Sequence, residues 1–334
     1  MTPLCEYIQQ LSNTMGVTGY EGRVLEAVAS ILSSHSIPFF SDSFGNLLVQ
    51  LGDEHAQKQR LICAHADEVG IQVQKVAYPL VWFRTFGSLR KDEMVGSLII
   101  FENGAVGVVE KHDTGSSDQF LVRLSQPAPL PTVAMTGTFS TRCSVAGDTI
   151  KGKALDNRAG CAILLGLVLN LFDTVDTPYD SSLLFAFTRE EEIGGRGIQH
   201  LSYANSFCHV VSIDATPVVD DNNVALGSGP CIKVSDGSSI SDRALVESFV
   251  AVAREHSIPY QLEVNELGFS ESAFPSLVSE AKCITISYPI VGMHSAVSEV
   301  SLHDVLHTME LVTQYCSQWV LPLYSEPYNY VAER

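Results

Sequence analysis

The chain has 334 residues and a formal net charge of −18, with 38 Asp and Glu against 20 Lys and Arg. That balance leaves no basic surface for phosphates and argues against a nucleic-acid partner. Hydrophobic residues make up 46% and charged residues 17%, a composition that builds a buried core and excludes wholesale disorder. The N-terminus, Met1-Thr2-Pro3-Leu4-Cys5-Glu6, lacks the basic region and apolar stretch of a secretory signal. Leu4, Ile8 and Leu11 share a helical face, and Gly16–Gly22 reads as a turn. Val24, Val28, Ile31 and Leu32 form a second helix that ends before Pro38. Asn46–Val49 and Leu61–Ala64 read as strands, the second running straight into His65.

From Val69 to Ile150 short strand candidates follow one another: Gly70–Val76, Leu80–Phe86, Ser97–Phe101, Ala105–Glu110, Phe120–Leu124 and Phe139–Val145. With turn residues between them and no helical period, they predict an all-β insert of about 80 residues. After Lys153 strands and helices alternate: helix Asp156–Phe172, strand Ser182–Thr188, strand Cys208–Ile213, helix Ser241–His256, strand Lys282–Tyr288 and helix Leu302–Trp319. The longest apolar run, Gly160–Phe172, is interrupted by Asn170 and falls short of the roughly 18 residues of a membrane span. The fold class is therefore α/β, an open mixed sheet flanked by helices and interrupted by a β insert. Residues 1–68 with 151–334 form the α/β domain and 69–150 the insert. Eight cysteines with no CxxC pair, most of them in apolar runs, suit free thiols in a reduced, cytoplasmic protein.

Four strands end in groups that can ligate metal. Leu61–Ala64 leads to His65-Ala66-Asp67, and Ser182–Thr188 to Arg189-Glu190-Glu191-Glu192-Ile193-Gly194. Cys208–Ile213 ends at Asp214, and Lys282–Tyr288 is followed by Met293-His294; Asp156 opens the apolar helix. Singly each has a bland reading. His65 is a structural histidine, Asp156 a helix N-terminal acid, Asp214 an Asx turn, the glutamates a solvated turn and His294 a loop residue. Together they sit where open α/β sheets bind ligands, at the carboxyl ends of strands. Two histidines with several carboxylates suit two divalent ions about 3.5–4 Å apart. Of adjacent glutamates one can ligate while the next moves a proton, and Asp67 can orient His65 through its other ring nitrogen.

Over nearly its whole length the chain resembles peptidase family forty-two, the glutamyl and deblocking aminopeptidases of tetrahedral assemblies. Gly16–Gly22 (GVTGYEG), His65–Gly70 (HADEVG), Gly152–Gly160 (GKALDNRAG), Phe187–Gly197 (FTREEEIGGRG) and Ile213–Pro217 (IDATP) match its motifs in order. Leu226–Val234 and Ile258–Val264 add further matches. The resemblance implies a metal-dependent aminopeptidase acting on peptides. His65 and Asp214 would hold one metal, Glu192 and His294 the other, and Asp156 would bridge. Glu191 would be the general base, Asp67 the partner orienting the histidine, and the Asp156-Asn157 peptide cis. The register of the three glutamates follows from aligning on Gly194, which puts Glu190 where the family often has Gln. Zn²⁺ is the first choice of metal, with Co²⁺ or Mn²⁺ compatible because carboxylates outnumber histidines. The resemblance further implies a homo-oligomer, a dimer building block or a tetrahedral dodecamer, with the insert mediating association or substrate access. No membrane partner is expected.

The chain departs from the family at two places. Val291-Gly292-Met293 stands where Arg-Tyr precedes the last histidine, and in Ser295–Glu299 the acid comes one place late. Gly268–Phe274 (GFSESAF) replaces a Gly-Thr-Asp-Ala stretch, with Glu271 for Asp. Three other readings are weighed: a related di-metal amidohydrolase (deacylase or dipeptidase), a two-carboxylate glycosidase that leaves both histidines without a role, and an assembly protein that has lost its metals.

Overall fold

The computed structural model describes residues 2–113, 118–127, 129–172, 175–176, 181–219, 223–266, 268–319 and 321–322. The last residues of the predicted span 151–334 lie outside these.

The architecture is a large open sheet with helices packed against it and a separate closed barrel. The sheet has 11 strands. Its centre is parallel: Ser181–Thr188 pairs with Lys58–His65, which pairs with His209–Pro217, which pairs with Lys282–Val291. Leu47–Gly52 adds antiparallel on one side and Ser298–Ser301 on the other, which makes the sheet mixed. All eight residues of Ser181–Thr188 are buried, as expected for a parallel strand covered on both faces.

The helix Leu155–Leu171 is apolar all round and buried along nearly its whole length, the sequence signature of a central helix. It packs against the sheet and against the helices Pro3–Asn13 and Leu302–Ser317. The helix Arg243–Glu255 is one-sided instead, burying Leu245, Phe249, Val252 and Ala253. Asp242 caps it, its carboxylate accepting the Leu245 N–H.

Six strands between Gly70 and Phe139 close into a barrel. It has its own core, including Ile71, Val73, Val81, Phe83, Ile99, Phe101, Val122 and Phe139. Closure removes the free sheet edges such an insert would otherwise expose. The predicted strand Phe139–Val145 is in fact two pieces. Thr136–Phe139 completes the barrel, and Ser144–Ala146 turns back with Thr149–Gly152 to join the large sheet beside Ser298–Ser301. Between them the chain crosses from one body to the other, and the Cys143 N–H is taken by Asn13 Oδ1 at 2.9 Å. Among its described residues the insert has no helix apart from one short 3-10 turn, Lys91–Met94. No helix among the described residues is long and apolar enough to cross a membrane. All eight cysteines are free.

Candidate active site

Register brings the ligand candidates together. His65 ends its strand directly opposite Thr188 of the neighbour, so the glutamate turn begins beside it. On the other side Ser212 pairs with Cys63, which carries Asp214 level with His65. Side chains two apart share a face, so the two point into one crevice. His294 arrives from beyond Lys282–Val291, the next parallel strand.

Asp156 comes from the start of the central helix, and it is not a regular helical residue. Ala154 has φ +52°, Asp156 and Asn157 have non-helical backbone angles, and the Asp156-Asn157 peptide is cis. Asn157 Nδ2 donates to the Ile213 carbonyl at 2.8 Å, and the single Tyr288 hydroxyl proton is shared between the Leu155 carbonyl and Asn157 Oδ1, each 2.8 Å from the hydroxyl oxygen. These bonds pin the turn to the strand that carries Asp214 and to its neighbour Lys282–Val291. Sequence reasoning named Asn157 only for its cis peptide and passed over Tyr288. Tyr288 stands in an apolar strand and gives no sign of its role until the fold places its hydroxyl under the helix start.

The result is one carboxylate between two histidines. Asp156 Oδ1 lies 3.2 Å from His65 Nε2, and Asp156 Oδ2 lies 3.1 Å from His294 Nε2. His65 Nε2 also has Asp214 Oδ1 at 3.6 Å and Glu191 Oε2 at 3.8 Å, and His294 Nε2 has Glu192 Oε2 at 3.3 Å. Donor atoms of His65, Asp156 and Asp214 lie within 4.8 Å of one another, as do those of Asp156, Glu192 and His294. Glu190 turns away, its carboxylate paired with Arg196 Nη1 at 2.5 Å.

Asp67 does more than face His65, whose Nδ1 is 3.4 Å from its Oδ1. Its two oxygens accept the backbone N–H groups of Glu191 (3.0 Å) and Glu192 (3.1 Å) and the Thr18 hydroxyl (2.8 Å). One buried carboxylate therefore sets the histidine and the glutamate turn together.

The charges are out of balance in a telling way. Burial raises the Glu191 carboxyl well above its usual range; Asp214, Glu192 and Asp67 add to that and His65 opposes it. Burial likewise raises Glu192 against the pull of His294. Burial should lower both imidazoles. Instead the surrounding carboxylates lift His65 well above its ordinary value and His294 to about 11. Crowded buried carboxylates demand positive charge, and two neutral imidazoles beside two divalent cations satisfy that demand as well as two protonated ones. The donor set, two imidazoles and several carboxylates in two triads sharing Asp156, fits a pair of such cations.

A fold of this kind is shared with solved aminopeptidases. An aminopeptidase from the archaeon Desulfurococcus kamchatkensis superposes with a TM-score of 0.83 at 24% identity, over 93% of this chain and 94% of that one. The TET1 peptidase of Pyrococcus horikoshii, which can assemble into a tetrahedron or a large octahedral shell, gives 0.82 at 24% identity over 93% and 98%. A protein of Acetivibrio thermocellus named as a candidate aminopeptidase is 27% identical over 328 residues, 92% of this chain and 97% of its own length. Residues 132–311 match the profile of the M42 glutamyl aminopeptidases. These similarities define an aminopeptidase, a hydrolase by reaction class. The chain belongs to the M42 glutamyl aminopeptidase family.

Proposed function

We propose that this protein is a two-metal aminopeptidase that removes the first residue of peptides. The observation that carries this reading is the Asp156 carboxylate, one oxygen facing each histidine. His65 and Asp214 would hold one ion and Glu192 and His294 the other, with Asp156 common to both groups. Zn²⁺ suits the imidazoles best, and Co²⁺ or Mn²⁺ suits the carboxylate-rich set. Bound there, the ions would acidify a water and polarise the scissile carbonyl. Glu191, buried in the same crevice with Oε2 3.8 Å from His65 Nε2, would accept the water's proton on its carboxylate and return it to the departing amine. Asp67 keeps His65 and the Glu191–Glu192 turn in place for this exchange.

Metal removal tests the reading. Protein stripped by chelator should lose cleavage of aminoacyl amides, regain it with Zn²⁺, Co²⁺ or Mn²⁺, and bind two ions per chain. Undiminished cleavage by protein shown to be metal-free would overturn it.

Residues 1–68 and 151–334 form the catalytic part in this proposal, and 69–150 the part that mediates self-association or substrate access. The assembly is a dimer building block or a tetrahedral dodecamer, in which enclosure would admit peptides and exclude folded proteins. Light scattering should give a mass well above one 36.3 kDa chain; a monomer at micromolar concentration would end the assembly proposal. Eight free cysteines support a reducing, cytoplasmic setting.

A further inference from the structure

The two stretches where the sequence departs from the family pattern lie far apart in the chain, yet both reach the cavity beside Asp156. Gly268–Phe274 supplies Phe269, and Val291–Met293 supplies Met293. Ala215, directly after Asp214, completes an apolar wall in a cavity of about 400 Å³. The rest of the lining is the site's own histidines and carboxylates together with small residues. Among the described residues no lysine or arginine lines it.

This wall is held in place. Phe269 is 40% exposed, and its ring edge rests on Gly195, where an added Cβ would come within 3.0 Å of Phe269 Cζ. Gly195 has φ +65°, so bare backbone is favoured there on conformational grounds too. Next to Phe269, the fully buried Ser270 donates to Asp236 Oδ2 at 2.8 Å, and the other Asp236 oxygen accepts the Ser238 and Ser239 N–H groups. Met293 packs against the main core.

We propose that Phe269, Met293 and Ala215 receive the side chain of the substrate's first residue and select an uncharged apolar one of leucine or methionine size. The inference rests on the aminopeptidase reading of the same site. An acidic side chain would enter a cavity already carrying Asp156, Glu191, Glu192 and Asp214 and would find no lysine or arginine among the described residues lining it, while those carboxylates already balance the two ions, so its desolvation would go uncompensated. A basic side chain would find only carboxylates that the metals and the proton transfer already use. An apolar side chain leaves water for a phenyl ring and a thioether, contacts that favour it without requiring a charge. The glutamyl preference in the family's name is therefore not expected of this chain.

The test uses the metal-loaded full-length protein and p-nitroanilides of Leu, Met, Ala, Glu and Lys. Leu and Met should exceed Ala in kcat/KM by about 10–200-fold, with Glu and Lys below Ala. Phe269→Ala should cut the Leu-to-Ala ratio by about tenfold, mainly through KM, and Phe269→Leu should restore most of it. Met293→Lys should raise Glu relative to Leu. A wild-type preference for Glu or Lys, or a Leu-to-Ala ratio unmoved by Phe269→Ala, would overturn the inference while leaving the aminopeptidase reading intact. Failure of the metal-loaded protein to cleave any of the five would sink that reading and this inference with it.

Discussion

Glu191→Gln is expected to keep both metal ions and lose about 10²–10⁴ in rate, the usual worth of a general base. Size is conserved, and the backbone N–H of residue 191 still reaches Asp67; the proton-accepting carboxylate is gone. Glu192→Gln should behave differently. Its Oε2 lies 3.3 Å from His294 Nε2 within the second triad, so removing its charge should weaken one ion and lower activity through metal loss. Glu190→Gln is the control, because that carboxylate is already engaged by Arg196 and its loss should change the rate far less. Metal content and rate measured together on the three variants decide the matter. A metal-replete, inactive Glu190→Gln with a metal-depleted Glu191→Gln would shift the roles by one residue. Full activity and full metal in all three would dismiss the mechanism.

The second large effect concerns stability. Glu68, next to Asp67, is buried at the junction of the barrel and the sheet. Its carboxylate lies 2.7 and 2.8 Å from Lys153 Nζ and 3.2 Å from Arg158 Nη2, and it accepts the Thr138 hydroxyl (2.7 Å) and the Gly16 N–H (2.8 Å). Thr138 belongs to the last barrel strand and Lys153 to the approach to Asp156, so this single side chain ties the insert to the site. Glu68→Ala leaves two buried cations without their anion and should cost about 3–5 kcal/mol, read as a lowered urea midpoint. A loss below about 1 kcal/mol would be that of an ordinary substitution and would deny the network its role.

The same residue sets a pH dependence. Burial alone would raise the Glu68 carboxyl, but Lys153 and Arg158 outweigh it and hold the group below its ordinary 4.5. A carboxyl depressed on folding contributes its full stabilisation above the unfolded value and loses it as pH falls through the folded one. Wild-type stability should therefore decline below pH 4.5 more steeply than that of Glu68→Ala. Parallel acid profiles would show that Glu68 does not titrate in this way.

By itself the sequence determined the α/β alternation, the β character of the insert and the set of residues able to hold metal. Each of these is written locally, in apolar strands running into His65, Glu191 or Asp214, in a helix apolar on every face, and in closely spaced strands separated by turns. It misjudged Phe139–Val145, where one continuous stretch serves two different sheets, and it passed over the strands Cys231–Ser235 and Gln261–Val264. Residues 261–264 alternate too briefly to stand out and owe their strand to pairing with residues 231–235.

Only the tertiary structure decided which groups meet. That Asp156 turns one oxygen to each histidine depends on Tyr288 and Asn157, bonded to each other across 131 residues of sequence. That Glu190 leaves the site while Glu191 and Glu192 enter it depends on Arg196 and on Asp67, which takes both backbone N–H groups from another strand end. Phe269 and Met293 share a cavity for the same reason. Hydrogen bonds and strand register between distant segments have no local sequence period, so they become legible only when the chain has closed on itself.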